Sequence, residues 1–235
     1  MPRGKPTMAG DQDRESNRDE VARREDVRDT YDRIATHFAS TREYAWPEVE
    51  SFVDAHTRDG VGLDLGCGNC RHAELLAADC ESVVGLDVSR GLLETGRERA
   101  RERAFEVELI QGDATTLPLA ENSVDIAVYV ATLHHLPTRA ARRDSLDELA
   151  RVLSPDGRAL VSAWSTAHDR FDATAGFDTT VEWTLPGGEP VDRFYHIYAP
   201  DEFEADLTDS DLALRASELS SGNCYATVAG AEPTG

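Results

Sequence analysis

The sequence has almost no lysine: Lys5 stands alone among 24 basic residues, which face 45 acidic ones for a net charge of −21. It also has no apolar run near the roughly 20 residues that a membrane-crossing helix needs, which predicts a soluble chain with no membrane contact. Residues 1–20 lack the apolar stretch of a secretory leader. Four scattered cysteines in 235 residues do not make a disulfide framework, so a cytoplasmic, reducing location is expected. Cys67 and Cys70 form a CxxC, but Cys80 and Cys224 bring no second paired ligand set, and no metal site is expected. A chain of this length needs no staple, and one α/β domain with its own core is the ordinary outcome.

An acidic surplus keeps a surface hydrated and self-repelling, and this one is similar to the bias of proteins from salt-loving archaea. At molar salt the Debye length falls to about 3 Å, so charge alone does not exclude an RNA substrate. Residues 1–20 offer almost nothing to bury, which predicts disorder. Residues 21–235 read as a single domain opened by helices within 21–57. Apolar positions at Val27, Tyr31, Ile34, Ala35 and Phe38 put one buried face on a helix over Val21–Ser40. Trp46-Pro47 starts a second helix, Glu48–His56, because proline is tolerated in a first turn. Short apolar runs then alternate with amphipathic stretches, the pattern of a parallel sheet covered on both faces. Strands are expected at Val61–Leu65, Ser82–Leu86, Val107–Gln111, Val124–Val130 and Arg158–Ala163, with helices near Arg71–Ala78, Ser89–Ala104 and Thr138–Leu153. Ser154-Pro155-Asp156-Gly157 reads as a turn. Residues 165–195 lack clear periodicity and read as an insertion on the substrate side. Leu212–Leu219 and Asn223–Ala229 read as a closing antiparallel pair.

The chemistry gathers at three strand ends. Asp64-Leu65-Gly66-Cys67-Gly68 closes the first strand, where bare glycine backbone lets a ligand approach closely. Asp87, at the end of the second, has the spacing at which an acid reaches ribose hydroxyls. Gly112-Asp113-Ala114 follows the third with an acid where an adenine edge would lie. Arg71 stands where a dinucleotide fingerprint requires glycine or alanine, which counts against NAD.

These residues, over 61–163, resemble the motif series of the class I S-adenosylmethionine-dependent methyltransferases. The resemblance implies a Rossmann-like, doubly wound, mostly parallel seven-stranded sheet with an antiparallel C-terminal pair, and S-adenosylmethionine as cofactor. It also implies roles: Gly66 and Gly68 pass the methionine part, Asp64 holds its amino group, Asp87 takes the ribose hydroxyls and Asp113 the adenine amino group. Val88, Ala114 and Val130 complete the cofactor set. Cys70 departs from the pattern, since many members have glycine there.

A narrower resemblance lies outside these motifs. Tyr31-Asp32-Arg33-Ile34-Ala35-Thr36-His37-Phe38 through Arg42 and Trp46-Pro47, then Leu133-His134-His135-Leu136-Pro137 and Tyr195-His196, are similar to the tRNA wobble-uridine carboxymethyl methyltransferases. The implied reaction esterifies the carboxylate of 5-carboxymethyluridine in the tRNA anticodon. It also implies a small zinc-ribbon activator subunit as heterodimer partner. A carboxylate is ionised at pH 7, so the site has to orient it rather than deprotonate it. The fork of Arg42 suits that task, with His134 and His135 lining the acceptor pocket. Tyr31, Arg139, Arg142, Tyr195 and His196 are the expected substrate residues, with Arg143 and Arg151 as further phosphate contacts. Trp164, Phe171, Phe177, Trp183 and Phe194 are candidates for stacking on a base. A small-molecule acceptor, or a catalytically silent cofactor-binding subunit, stays open as an alternative.

Overall fold

The structure, a computed structural model, describes residues 9–56 and 59–230, with side chains from residue 23 onward. Five parallel strands form its centre: Val61–Leu65 (β1), Ser82–Asp87 (β2), Glu108–Gln111 (β3), Val124–Val130 (β4) and Leu153–Trp164 (β5). Phe177–Thr184 (β6) and Pro190–Ile197 (β7) make a separate hairpin, and Ala213–Ser220 (β8) and Asn223–Ala229 (β9) return antiparallel. The main sheet runs β3-β2-β1-β4-β5-β9-β8. Side chains alternate along a strand, and β4 shows why its run is almost wholly apolar. Ile126, Val128 and Val130 enter the core on one face, while Ala127 and Tyr129 enter the core on the other.

Helices cover both faces: Ala9–Ser40 (α1), Pro47–His56 (α2), Ala73–Leu76 (α3), Arg90–Arg103 (α4), Arg139–Val152 (α5) and Pro200–Thr208 (α6). The apolar stripe of α1 packs Tyr31, Ile34 and Ala35 against Leu92 of α4 and Val191 of the hairpin. Asp32 fixes the crossing: its Oδ1 accepts from the Ser89 hydroxyl at 2.6 Å and from the Gly91 N–H at 2.8 Å, at the N-terminus of α4. In this way α1 roofs the C-terminal edge of the sheet. β1 lies between β2 and β4, and the loops leaving β1 and β4 diverge, which opens a crevice outside the strand ends.

The structure corrects several expectations. Helix α1 begins at Ala9, so residues 9–20 are helical rather than disordered, and residues 1–8 lie outside the described residues. Helix propensity is local and needs no apolar face, and Gln12, Arg14, Glu15, Arg18 and Glu20 are good helix formers. The helix expected over 71–78 is limited to α3, preceded by a turn that includes Cys70 at φ 62°. Ser154–Gly157 is looped out within β5, whose register against β4 jumps from Leu153 to Arg158. Residues 165–195 are not aperiodic: they hold β6 and most of β7. The alternation through Thr180-Val181-Glu182-Trp183 and the turn residues Pro186-Gly187-Gly188 were the available signals.

Candidate active site

Two cavities meet at the glycine loop. The first, about 120 Å³, is walled by Leu65, Leu86, Val88, Leu92, Ala114 and Leu136, with Asp87 and Asp113 at its strand ends. Gly66 and Gly68 line it with φ of 74° and 53°, the left-handed region that favours glycine. Asp87 ties the loop down: Oδ2 accepts from the Gly68 N–H at 2.9 Å and Oδ1 from the Ser89 N–H at 2.8 Å. An apolar slot with two carboxylates at its ends suits a flat purine and sugar hydroxyls. Asp64 is placed differently. It lies beneath the loop, lines neither cavity, and accepts from the Ala73 N–H at 2.9 Å, beside the buried His72. Asp113 faces the first cavity but pairs with Arg24 of α1 at 2.8 Å, and Arg24 also donates to Thr115.

The second cavity, about 350 Å³, shares Phe38, Gly66, Gly68, Ala131, Thr132 and His135 with the first. Arg42, Arg71, Arg170 and Arg193 line it, and no aspartate or glutamate among the described residues does. His134 Nδ1 accepts from the Trp164 N–H at 2.9 Å, and its ring stacks on Tyr195. His135 Nδ1 lies 2.9 Å from the Phe194 carbonyl, to which it donates, and Nε2 accepts from the Tyr31 hydroxyl at 2.8 Å. Burial depresses both imidazoles, that of His135 to about 3, so both are neutral at pH 7 and serve as fixed polar walls. Burial likewise lowers Arg71 to about 10, still a cation at pH 7.

The methyltransferase domain family matches residues 63–161, the span from β1 to β5. A protein of Encephalitozoon cuniculi, provisionally named a methyltransferase, is 32% identical over 187 residues, covering 77% of this chain and 83% of that protein. The chain belongs to the class I S-adenosylmethionine-dependent methyltransferases. The tRNA (carboxymethyluridine(34)-5-O)-methyltransferase of Arabidopsis thaliana is 35% identical over 143 residues, 61% of this chain, which spans only 33% of that relative's length. One chain of a complex between the Haloferax volcanii Trm112 methyltransferase activator and a provisionally assigned methyltransferase superposes with a TM-score of 0.63. It is 14% identical and covers 87% of this chain and 97% of its own, a likeness of fold.

In this methyltransferase several expected substrate residues sit away from the cavities. Arg139 pairs with the buried Asp206 of α6 at 2.7 Å, and Arg142 is buried over the Tyr198 ring with Glu202 at 3.9 Å. Arg143 donates to the Asp209 carbonyl, and Arg151 is held by Glu148 and the carbonyls of Leu117 and Leu119. Helix α5 spends these arginines on packing and capping contacts. His196 bridges Asp178 and Glu202 at 2.7 and 2.9 Å, whereas its neighbour Tyr195 lines the second cavity. The period of two along β7 sends adjacent residues to opposite faces, so the pair Tyr195-His196 could not both reach one site. By the same period Arg193 shares the face of Tyr195, a signal present in the sequence and not used. Val130 lines the second cavity rather than the first. Trp164 lines the second cavity and packs on Phe171, which packs on Phe177, while Phe171, Phe177 and Phe194 line neither cavity.

Two buried carboxyls at the glycine loop are expected to give cofactor binding a pH dependence. Burial pushes Asp64 up to about 7 and Asp87 to about 6. Both values exceed those of the unfolded chain, so protonation favours the unliganded fold below about pH 4, and that contribution is lost as pH rises through 6 to 7. A ligand that uses ionised Asp87 binds with the opposite slope. Cofactor affinity is expected to rise severalfold between pH 5.5 and pH 7.5, with most of a proton released on binding at the acid end and almost none at pH 7.5. Calorimetry in two buffers of different ionisation enthalpy checks this; a flat profile with no proton release would remove Asp87 from the contact.

Proposed function

We propose that this protein transfers the methyl group of S-adenosylmethionine to the carboxylate of 5-carboxymethyluridine at the tRNA wobble position, forming the methyl ester. The observation that carries the reading is the second cavity: four arginines and no carboxylate among its described lining residues, in a chain of net charge −21. Such a pocket selects an anion against the field of its own protein. The similarity to the Arabidopsis enzyme supports a modified uridine as the bearer of that anion.

The chain's residues supply geometry. Glycines at 66 and 68 leave backbone bare at the junction of the cavities. Asp87 would accept from ribose hydroxyls in the first cavity. The cofactor, when bound, supplies a sulfonium methyl that an ionised carboxylate takes by direct displacement, with no proton to move. No general base is required, which accords with the neutral His134 and His135. Orientation is the main task, and it lowers such barriers by roughly 7–11 kcal/mol in favourable cases. Arg42 lines this pocket, its guanidinium 4.6 Å over the Phe38 ring.

The likeness of fold to a chain in an activator complex supports a heterodimer with a small zinc-ribbon activator. The reading places the work in the cytoplasm, with the anticodon region of tRNA as partner.

Transfer of label from S-adenosylmethionine to bulk tRNA in high salt, with and without the activator, followed by nucleoside mass analysis, tests the reaction. A methyl ester on wobble uridine is the expected product. Cofactor binding without label in tRNA would point to a small carboxylate acceptor. Arg42→Ala is expected to keep cofactor affinity and slow transfer at least tenfold, about 1.4 kcal/mol. An equal rate would remove Arg42 from the site.

A further inference from the structure

Arg193 of β7 is 6% exposed and its side chain lines the second cavity. Nη1 donates to the Tyr195 hydroxyl at 2.7 Å, while Nε is buried with no partner. The guanidinium sits among rings, 4.9 Å from Trp183, 5.2 Å from Tyr195 and 6.0 Å from Phe38. Arg42 approaches the same Phe38 and Trp183, at 4.6 and 5.9 Å. Two cations therefore converge on one aromatic pair, with no carboxylate of the described residues paired to either.

Arginine does not escape burial by losing its proton, and a buried unpaired ion is unfavourable until an anion joins it. The other buried arginine of this region, Arg142, has Glu202 at 3.9 Å and the Leu136 carbonyl at 3.3 Å. Arg193 lacks any such neighbour. With Nη1 committed to Tyr195 and Nε closed off from solvent, the N–H groups of Nη2 are the ones left to meet a carboxylate in the cavity. Aromatic walls strengthen the contact by excluding water.

We infer that Arg193 is the anchor of the acceptor's carboxylate, and that it makes the enzyme choose an acid over the corresponding neutral amide. This rests on the proposed acceptor chemistry for the choice of nucleoside, but the anion site itself does not. Arg193 acts in binding and positioning; Arg42 closes over the anion from the loop after α1.

Two measurements test it on the full chain. The first is an acetate titration at constant ionic strength, followed by tryptophan fluorescence, since the Trp183 ring lies against Arg193. The wild type is expected to saturate, Arg193→Gln to lose the response, and Arg193→Lys to keep a weaker one. The second compares anticodon stem-loops carrying 5-carboxymethyluridine or 5-carbamoylmethyluridine, bound with S-adenosylhomocysteine and the activator present. The wild type is expected to prefer the acid by at least tenfold, Arg193→Gln to bind both alike, and Arg193→Lys to fall between. Unchanged cofactor affinity in the variants separates this from a folding defect. If Arg193→Gln does not fold, the intermediate preference of Arg193→Lys carries the test.

An acetate response or an acid preference unchanged in Arg193→Gln, or in Arg193→Lys where only that variant folds, would overturn the anchor. An acetate response lost in the variant, with neither stem-loop bound by the wild type, would keep the anion anchor and overturn the RNA reading.

Discussion

Gly66→Ala is expected to abolish measurable cofactor binding, raising the dissociation constant by at least ~100-fold, because two costs fall on one atom. At φ 74° an alanine is strained, by roughly 1–3 kcal/mol. Its Cβ would also overlap the Thr132 side chain, which reaches across from the loop after β4. Thr132 borders both cavities, so displacing it deforms the junction between them. Calorimetric titration with S-adenosylhomocysteine measures the loss. Thr132→Ala in the same chain should restore part of the affinity, since it removes the overlap but not the strain. Full affinity in Gly66→Ala alone would mean that the loop does not approach the ligand as drawn.

A loss of similar size, about 100-fold, is expected for Asp87→Asn, the equivalent of 2–3 kcal/mol in charge-assisted hydrogen bonds. Asp87 accepts two backbone N–H groups, from Gly68 and Ser89. An asparagine can accept only one of them through its carbonyl and turns an NH₂ toward the other. The glycine loop then loses its anchor in the same step that, on the proposed reading, the ribose hydroxyls lose an ionised partner. The variant also removes a buried carboxyl raised to about 6, so the pH dependence of cofactor binding should flatten. A variant that binds weakly but keeps the wild-type slope would assign the titration to Asp64 instead.

How far the residues announced this arrangement differs from place to place. The strands β1, β2 and β4 were legible because a strand buried on both faces reads as a nearly uninterrupted apolar run. The cofactor loop was legible because glycine at 66 and 68 answers a backbone requirement that is local. Tyr31, Arg42, His134 and His135 are drawn to the two cavities from segments far apart in the chain. The place of the α5 arginines was not legible, because charge says nothing about where its partner lies: the buried Asp206 that pairs with Arg139 is 67 residues away in sequence.

The amino-acid sequence by itself determined the doubly wound sheet, the order of its motif loops and the acidity of the surface, since hydrophobic period, turn chemistry and composition are properties of short stretches. Only the tertiary structure decided which cations face the ligand. Arg42, Arg71, Arg170 and Arg193 come from four separate segments, and a pocket of one sign inside a chain of the other forms when long-range packing brings them together and keeps every carboxylate of the described residues out.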